Sequence, residues 1–212
     1  MGKALLLSIQ PEWVEKILNK NKRYEIRKKI PADYRGWVYI YCTKDSNKRY
    51  QLAKYKDTFA FGVKSNEEII GNKYQTINGK VVARFWCDKI ETIRRYSESD
   101  GYGEDACYCF DYWDTRRLPQ AGLDVQNGSC LTARQLTEYA NGKKELYAIH
   151  ISKLEIFDKP KELNEFKVYK HIKTFNNLSW LEKGEHLDFG INKPLTKAPQ
   201  NYCYVEELVN GK

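Results

Sequence analysis

The sequence predicts an α+β fold, a mixed β-barrel with short capping helices and long loop insertions. Three observations predict it. Five segments, near residues 4–9, 23–29, 37–43, 81–91 and 146–156, are either continuously apolar or alternate with a period of two, as strands do. One short segment, Pro11–Leu18, carries its apolar residues on a single stripe, as a helix lying on a core does. Between these lie long polar stretches without a period, which read as surface insertions.

Ala4–Ile9 is an apolar run closed by a proline, which suits a strand buried on both faces. Pro11 fits the first position of a helix, where a missing N–H costs nothing. Glu12 and Glu15 fall early and Lys16 and Lys20 late, the order the helix dipole favours. Trp13, Val14, Ile17 and Leu18 form the buried stripe, and Asn19 and Asn21 tolerate the left-handed backbone that stops the helix. The period then changes to two. Tyr24 and Ile26 take one face, and Arg23, Glu25 and Arg27 take the other. Lys22 sits at the mouth of that strand, so a Lys/Glu/Arg constellation forms beside the end of the helix. Two readings stand: a solvated hairpin edge whose charges prevent aggregation, or a ligand site.

Pro31–Gly36 is a turn by composition, and Trp37–Thr43 a strand rich in β-formers. Residues 45–80 are polar and basic, with a strand at Phe59–Val63 and a turn at Glu67–Ile70. In the next strand Val81, Ala83, Phe85 and Cys87 make the core face. Residues 94–127 read as irregular. Within them Tyr108, Phe110, Tyr112 and Trp113 lie beside Arg116 and Arg117, the composition of a base-stacking surface or of a loop pinned by its own aromatic cluster. Leu131–Ala140 reads as a helix capped by Ser129 or Thr132 and stopped by Asn141-Gly142. Glu145–Phe157 is a strand, in which His150 reads as a hydrogen-bonded core histidine. The stretch to Lys197, with His186 and Asp188, shows no period, and Gln200–Leu208 closes the chain as a strand. One domain, 1–212, is expected, with insertions at about 44–80 and 94–130 and an extension at about 166–200.

At 42% hydrophobic and 14% aromatic residues the chain is globular rather than disordered. Its net charge of +8 favours a polyanionic partner. No apolar run reaches membrane-spanning length and no signal sequence or acylation motif opens the chain, so a cytoplasmic protein is expected. The six cysteines are scattered and read as reduced thiols. Cys107 and Cys109, with Cys87 or Cys130, lack the spacing of a zinc site, so no metal and no cofactor is expected.

Leu7-Ser8-Ile9-Gln10-Pro11, the short helix, and Lys22, Glu25 and Arg27 in a KxxExR arrangement together resemble the ASCH (activating signal cointegrator homology) domain family, a branch of the PUA-like folds. Trp37–Thr43, Val81–Ile90, Leu146–Leu154 with Phe157-Asp158-Lys159-Pro160, and Ala198–Val205 resemble later family blocks in the right order. The resemblance implies a PUA-like barrel and either RNA binding, nuclease activity or amidohydrolysis of acetylated cytidine. In the amidohydrolases a lysine pairs with a threonine three residues on. Lys22 matches the lysine, but Glu25 occupies the threonine position, which weakens that reading. The expected partner is therefore RNA or a modified nucleotide. It would be held in a basic cleft by Ser8, Lys20, Lys22, Arg23, Glu25, Arg27 and Lys28. The alternative is a metal-independent hydrolase, a ribonuclease or an amidohydrolase, in which Lys22 and Glu25 are catalytic.

Overall fold

The computed structural model describes residues 2–45, 50–55, 58–63, 75–95, 108–110, 120–168 and 193–208. In chain order the elements are β1 (Lys3–Ile9), α1 (Pro11–Leu18), β2 (Tyr24–Arg27), β3 (Gly36–Cys42), β4 (Tyr50–Tyr55), β5 (Thr58–Val63), β6 (Gln75–Thr76), β7 (Val81–Cys87), β8 (Ile90–Arg95) and β9 (Tyr108–Phe110). They continue with α2 (Gln120–Ser129), α3 (Ala133–Ala140), β10 (Glu145–His150), β11 (Ser152–Lys161), β12 (Lys167–Val168), β13 (Lys193–Pro194) and β14 (Tyr202–Glu206). The fold is α+β, as the sequence predicts.

The strands form three sheets. The largest has the order β11-β7-β3-β1-β14-β12-β13, the second β2-β10-β8-β9, and the third β5-β4-β6. Within the largest, β1 runs parallel to β3 and antiparallel to β14, so the first strand is held on both edges. Both its faces are buried as well. Leu5, Leu7 and Ile9 enter one core with Val38, Ile40 and Phe85, whereas Ala4 and Leu6 enter another with Tyr39, Phe157 and Phe166. An apolar run without alternation is what such a strand requires. The helix α1 buries Val14, Ile17 and Leu18 against the first of these cores, as its stripe predicts.

The expected five segments do not fall in one sheet. Residues 24–27 and 145–150 pair in the second sheet, whereas 3–9, 36–42 and 81–87 pair in the first. The two sheets are linked because β7 runs on into β8, and β10 into β11, as one antiparallel pair that bends. Ile149 faces Ile90 and Ser152 faces Trp86, so His150 and Ile151 oppose Cys87, Asp88 and Lys89. An extra residue on one strand bends a pair in this way. His150 N–H still donates to Lys89 O across the bend (3.0 Å), but Ile151 N–H turns away to Arg23 O (2.8 Å).

Other expectations are corrected locally. Lys20, not an asparagine, takes the left-handed conformation after α1, with φ of 61°. The reversal falls there because Asn21 N–H and Lys22 N–H both reach back to Lys16 O at 2.9 Å. The stretch expected to be irregular contains β9 and α2. Its second glycine is required: a Cβ on Gly128 would lie 2.9 Å from the Tyr24 ring, and Arg23 N–H donates to Gly128 O at 2.6 Å. The helix α3 begins after Thr132, which forms a reciprocal capping box with Gln135, and ends at Asn141 with φ of 46°. The expected turn at Glu67–Ile70 and the aromatics Tyr112 and Trp113 with Arg116 and Arg117 lie outside the described residues. So do Cys107, His186, Asp188 and the side chains of Tyr108, Cys109 and Phe110.

Candidate functional site

The site is built where β1, α1 and β2 meet. The β2 strand is four residues long and buried throughout, although half of it is charged. Lys22, Glu25 and Arg27 are 3%, 6% and 8% exposed. The solvated-edge reading is therefore overturned. Period two does put Glu25 and Arg27 on the face opposite Tyr24 and Ile26, but that face floors a walled cavity rather than lying on the outer surface.

Each of the three is held by partners distant in sequence. Lys22 Nζ donates to Ser129 O, the last residue of α2, at 2.6 Å. It lies 3.6 Å from Glu25 Oε2 and 5.1 Å from the centre of the Trp13 ring. Burial pushes the Lys22 pKa below the usual lysine value, and the Glu25 carboxylate only partly opposes that. Glu25 Oε1 accepts from the other side, 3.0 Å from Arg27 Nη2. Arg27 Nη2 also donates to Ser8 O at 2.7 Å, and Ser8 Oγ donates to Pro199 O at 2.7 Å. The chain thus runs from Ser129 through Lys22, Glu25, Arg27 and Ser8 to Pro199. Among the described residues one group in it is unsatisfied: Arg27 Nε is buried and finds no hydrogen-bond partner there. An orphaned donor on a buried cation costs about 1–3 kcal/mol or more.

These residues floor a cavity of about 1190 Å³. Its walls include Trp13 from α1, Gln135, Glu138 and Tyr139 from α3, and the segment Leu195–Asn201 leading into β14. Tyr139 is 37% exposed, the one large hydrophobic side chain among the described residues that is turned to solvent. Lys28, Lys44 and Lys197 stand on the lining. Two acidic groups on the lining are already matched. Glu138 pairs with Arg134 at 2.9 Å, and Glu162 pairs with Lys80. The outer lining is thus net cationic around a floor that holds a carboxylate between two cations.

Of the site residues expected from sequence, Ser8, Lys22, Glu25, Arg27 and Lys28 line this cavity together. Lys20 and Arg23 do not line it, and both are exposed. Lys20 is turned away by its left-handed backbone, and Arg23 lies before β2 begins, where its backbone is held by Gly128 and Ile151 rather than by the strand's alternation. Sequence reasoning missed Tyr139, Gln135, Lys44 and Lys197. Tyr139 carried a signal, since it lies four residues after Gln135 on the face of α3 away from the buried Leu136 and Ala140.

His150 belongs to a different cluster. It is half-buried rather than a core residue, with Nδ1 2.6 Å from Asp88 Oδ1 and its ring 5.0 Å from that of Tyr24. Among the described residues no group of His, Cys, Asp and Glu is placed to hold a metal. Cys42, Cys87, Cys130 and Cys203 are free thiols. Burial pushes Cys42 up to about 12, and Cys87 and Cys203 up to about 11.

No family model matches the chain and no curated protein matches it. Three solved structures are similar to it, all of an ASCH protein from Zymomonas mobilis. The parent protein and one single-residue mutant each show 13% identity and a TM-score of 0.43, covering 76% of this chain and 75% and 77% of theirs. A second mutant shows 14% identity and a TM-score of 0.41, covering 76% of this chain and 75% of its own. No helix among the described residues is long and apolar enough to cross a membrane.

Proposed function

We propose that the chain binds RNA or a modified nucleotide in this cavity, on an open PUA-like barrel whose walls are the two larger sheets. The observation that carries the reading is the burial of Lys22, Glu25 and Arg27 on the floor of a solvent-open cavity. Burying an ion pair is rarely favourable against apolar side chains of the same size, so a buried triplet with an unsatisfied donor has a use other than stability. The carboxylate at its centre repels phosphate. The floor therefore takes a neutral, hydrogen-bonding group such as a base, and phosphates face Lys28, Lys44 and Lys197 on the lining. Trp13 and Tyr139 add aromatic rings to the lining, with Lys22 over the first and Lys28 over the second. The free thiols accord with a cytoplasmic setting.

The test is RNA binding by the intact chain across a salt series. Affinity should fall as salt rises, and each of Lys28→Ala, Lys44→Ala and Lys197→Ala should reduce the log–log slope by about one if it meets a phosphate. Binding that ignores salt and all three substitutions would refute the reading.

A second reading is favoured by one observation. Burial lowers the pKa of Lys22, the direction that makes an amine a better general base or nucleophile. With Glu25 beside it, the site would then be a metal-independent hydrolase. Single-turnover product analysis with RNA and with acetylated cytidine decides between the two. Product that vanishes in Lys22→Met at retained affinity would put the enzyme first.

A further inference from the structure

We infer that the floor of the cavity reads a cyclic imide edge, an N–H between two carbonyl oxygens, which among the RNA bases is the edge of uracil. The inference rests on the nucleotide-binding reading and adds the base to it.

Glu25 lies between two donors, each set against a different carboxylate oxygen: Lys22 at Oε2 (3.6 Å) and Arg27 at Oε1 (3.0 Å). An ionised carboxylate only accepts hydrogen bonds, whereas a guanidinium only donates and a lysine amine keeps N–H donors in either protonation state. Across the floor the order is therefore donor, acceptor, donor. Neither flanking donor is used up. Lys22 donates to Ser129 O and retains further N–H groups, and Arg27 Nε has no partner among the described residues. Glu25 likewise accepts no hydrogen bond from a neutral group among the described residues.

The complementary ligand edge is acceptor, donor, acceptor. Uracil presents it as O2, N3–H and O4. Cytosine places the bare N3 lone pair against Glu25 and turns its amine toward a cation. Adenine also places a lone pair at the centre. Guanine offers the central N–H but brings an amine against one of the flanking donors. Each mismatch leaves a buried polar group unpaired or opposed, which is the most effective form of discrimination. Uracil within a strand and a free uridine nucleotide share this edge.

The experiment measures binding of pentauridylate, pentacytidylate and N3-methylated pentauridylate to the intact chain at fixed salt, with uridine and cytidine monophosphates in parallel. Pentauridylate should bind roughly ten- to hundredfold tighter than the other two pentamers, the range a hydrogen-bonded base contact gives. N3 methylation removes the central donor without changing charge. The same ratio between the monophosphates shows that the base alone suffices. A ratio confined to the pentamers shows that uracil is read within a strand, and either result upholds the imide edge. Glu25→Gln adds a donor at the central position and should bring the uracil-to-cytosine ratio to about threefold or below. Should that variant fail to fold, the N3-methyl comparison on the wild type decides. Equal binding of all three pentamers with normal salt dependence overturns the imide edge and leaves the nucleotide cleft standing. No binding of any RNA overturns both.

Discussion

Two charged clusters sit on opposite faces of the same short sheet. On one face Lys22, Glu25 and Arg27 are nearly inaccessible, and one of their donors has no partner among the described residues. On the other, Asp88, Lys89, Glu91 and His150 are partly or fully exposed, with Lys89 2.8 Å from Glu91 and His150 2.6 Å from Asp88. Tyr24, the neighbour of Glu25, belongs to the second cluster, 5.0 Å from the His150 ring. The residue types are nearly the same and the solvent is not. In water such pairs contribute little and cost little. Out of water the attraction must offset the desolvation of every ion, and the net contribution to stability is often negative. The exposed cluster needs no explanation beyond solubility. The buried one does.

Breaking each cluster by one residue should separate them most clearly. Arg27→Ala leaves Glu25 buried without its nearer cation, and a broken buried pair of this kind costs about 3–5 kcal/mol, read by urea denaturation. Lys89→Ala, in the exposed cluster, should cost within about 1 kcal/mol in the same assay. Equal losses would show that burial does not distinguish the two.

The pH profile sharpens the same contrast. The folded-state pKa of Lys22 lies below its unfolded value of 10.5. Between those two values the unfolded chain binds the extra proton, so stability from this group rises with pH and levels off above 10.5. Urea midpoints of the wild type should therefore gain on those of Lys22→Met as pH is raised toward that limit. A difference that is constant or shrinks with pH would mean that Lys22 is not desolvated.

A smaller effect tests the wall rather than the floor. The capping box of Thr132 and Gln135 fixes the start of α3, which carries Tyr139 to the cavity. Thr132→Ala should cost about 1 kcal/mol, a typical loss for an N-cap. Ligand affinity should fall with it, whereas Lys89→Ala should leave affinity unchanged.

The contrast between the clusters was only half legible in the sequence. The strand β1, the helix α1 and the alternation in β2 follow from local period, because each depends on neighbours three or four residues away at most. The constellation of Lys22, Glu25 and Arg27 follows as well. What covers it does not. Ser129 reaches Lys22 from 107 residues away, and Pro199 reaches Ser8 from 191 residues away. No period reports such contacts, so one face read equally as solvent or as cleft. The helix α2 escaped because two glycines and few apolar residues leave it little local preference, and its contact with β2 is what needs Gly128. The division of the strands between two sheets was hidden for a related reason. The bend at His150 and Ile151 is a mismatch of two residues against three between distant strands, invisible to either strand alone.

The central claim is that the buried triplet exists for a ligand and not for the fold. Replacing it whole, with Lys22→Met, Glu25→Leu and Arg27→Met in one chain, tests this directly. Urea stability and RNA affinity are measured on the same preparation. Removing all three ions at once leaves no orphaned charge, so stability should equal or exceed that of the wild type by about 1–4 kcal/mol while RNA binding is lost. A triple variant that is markedly destabilised yet still binds RNA would show that the charges serve the fold, and would contradict the claim.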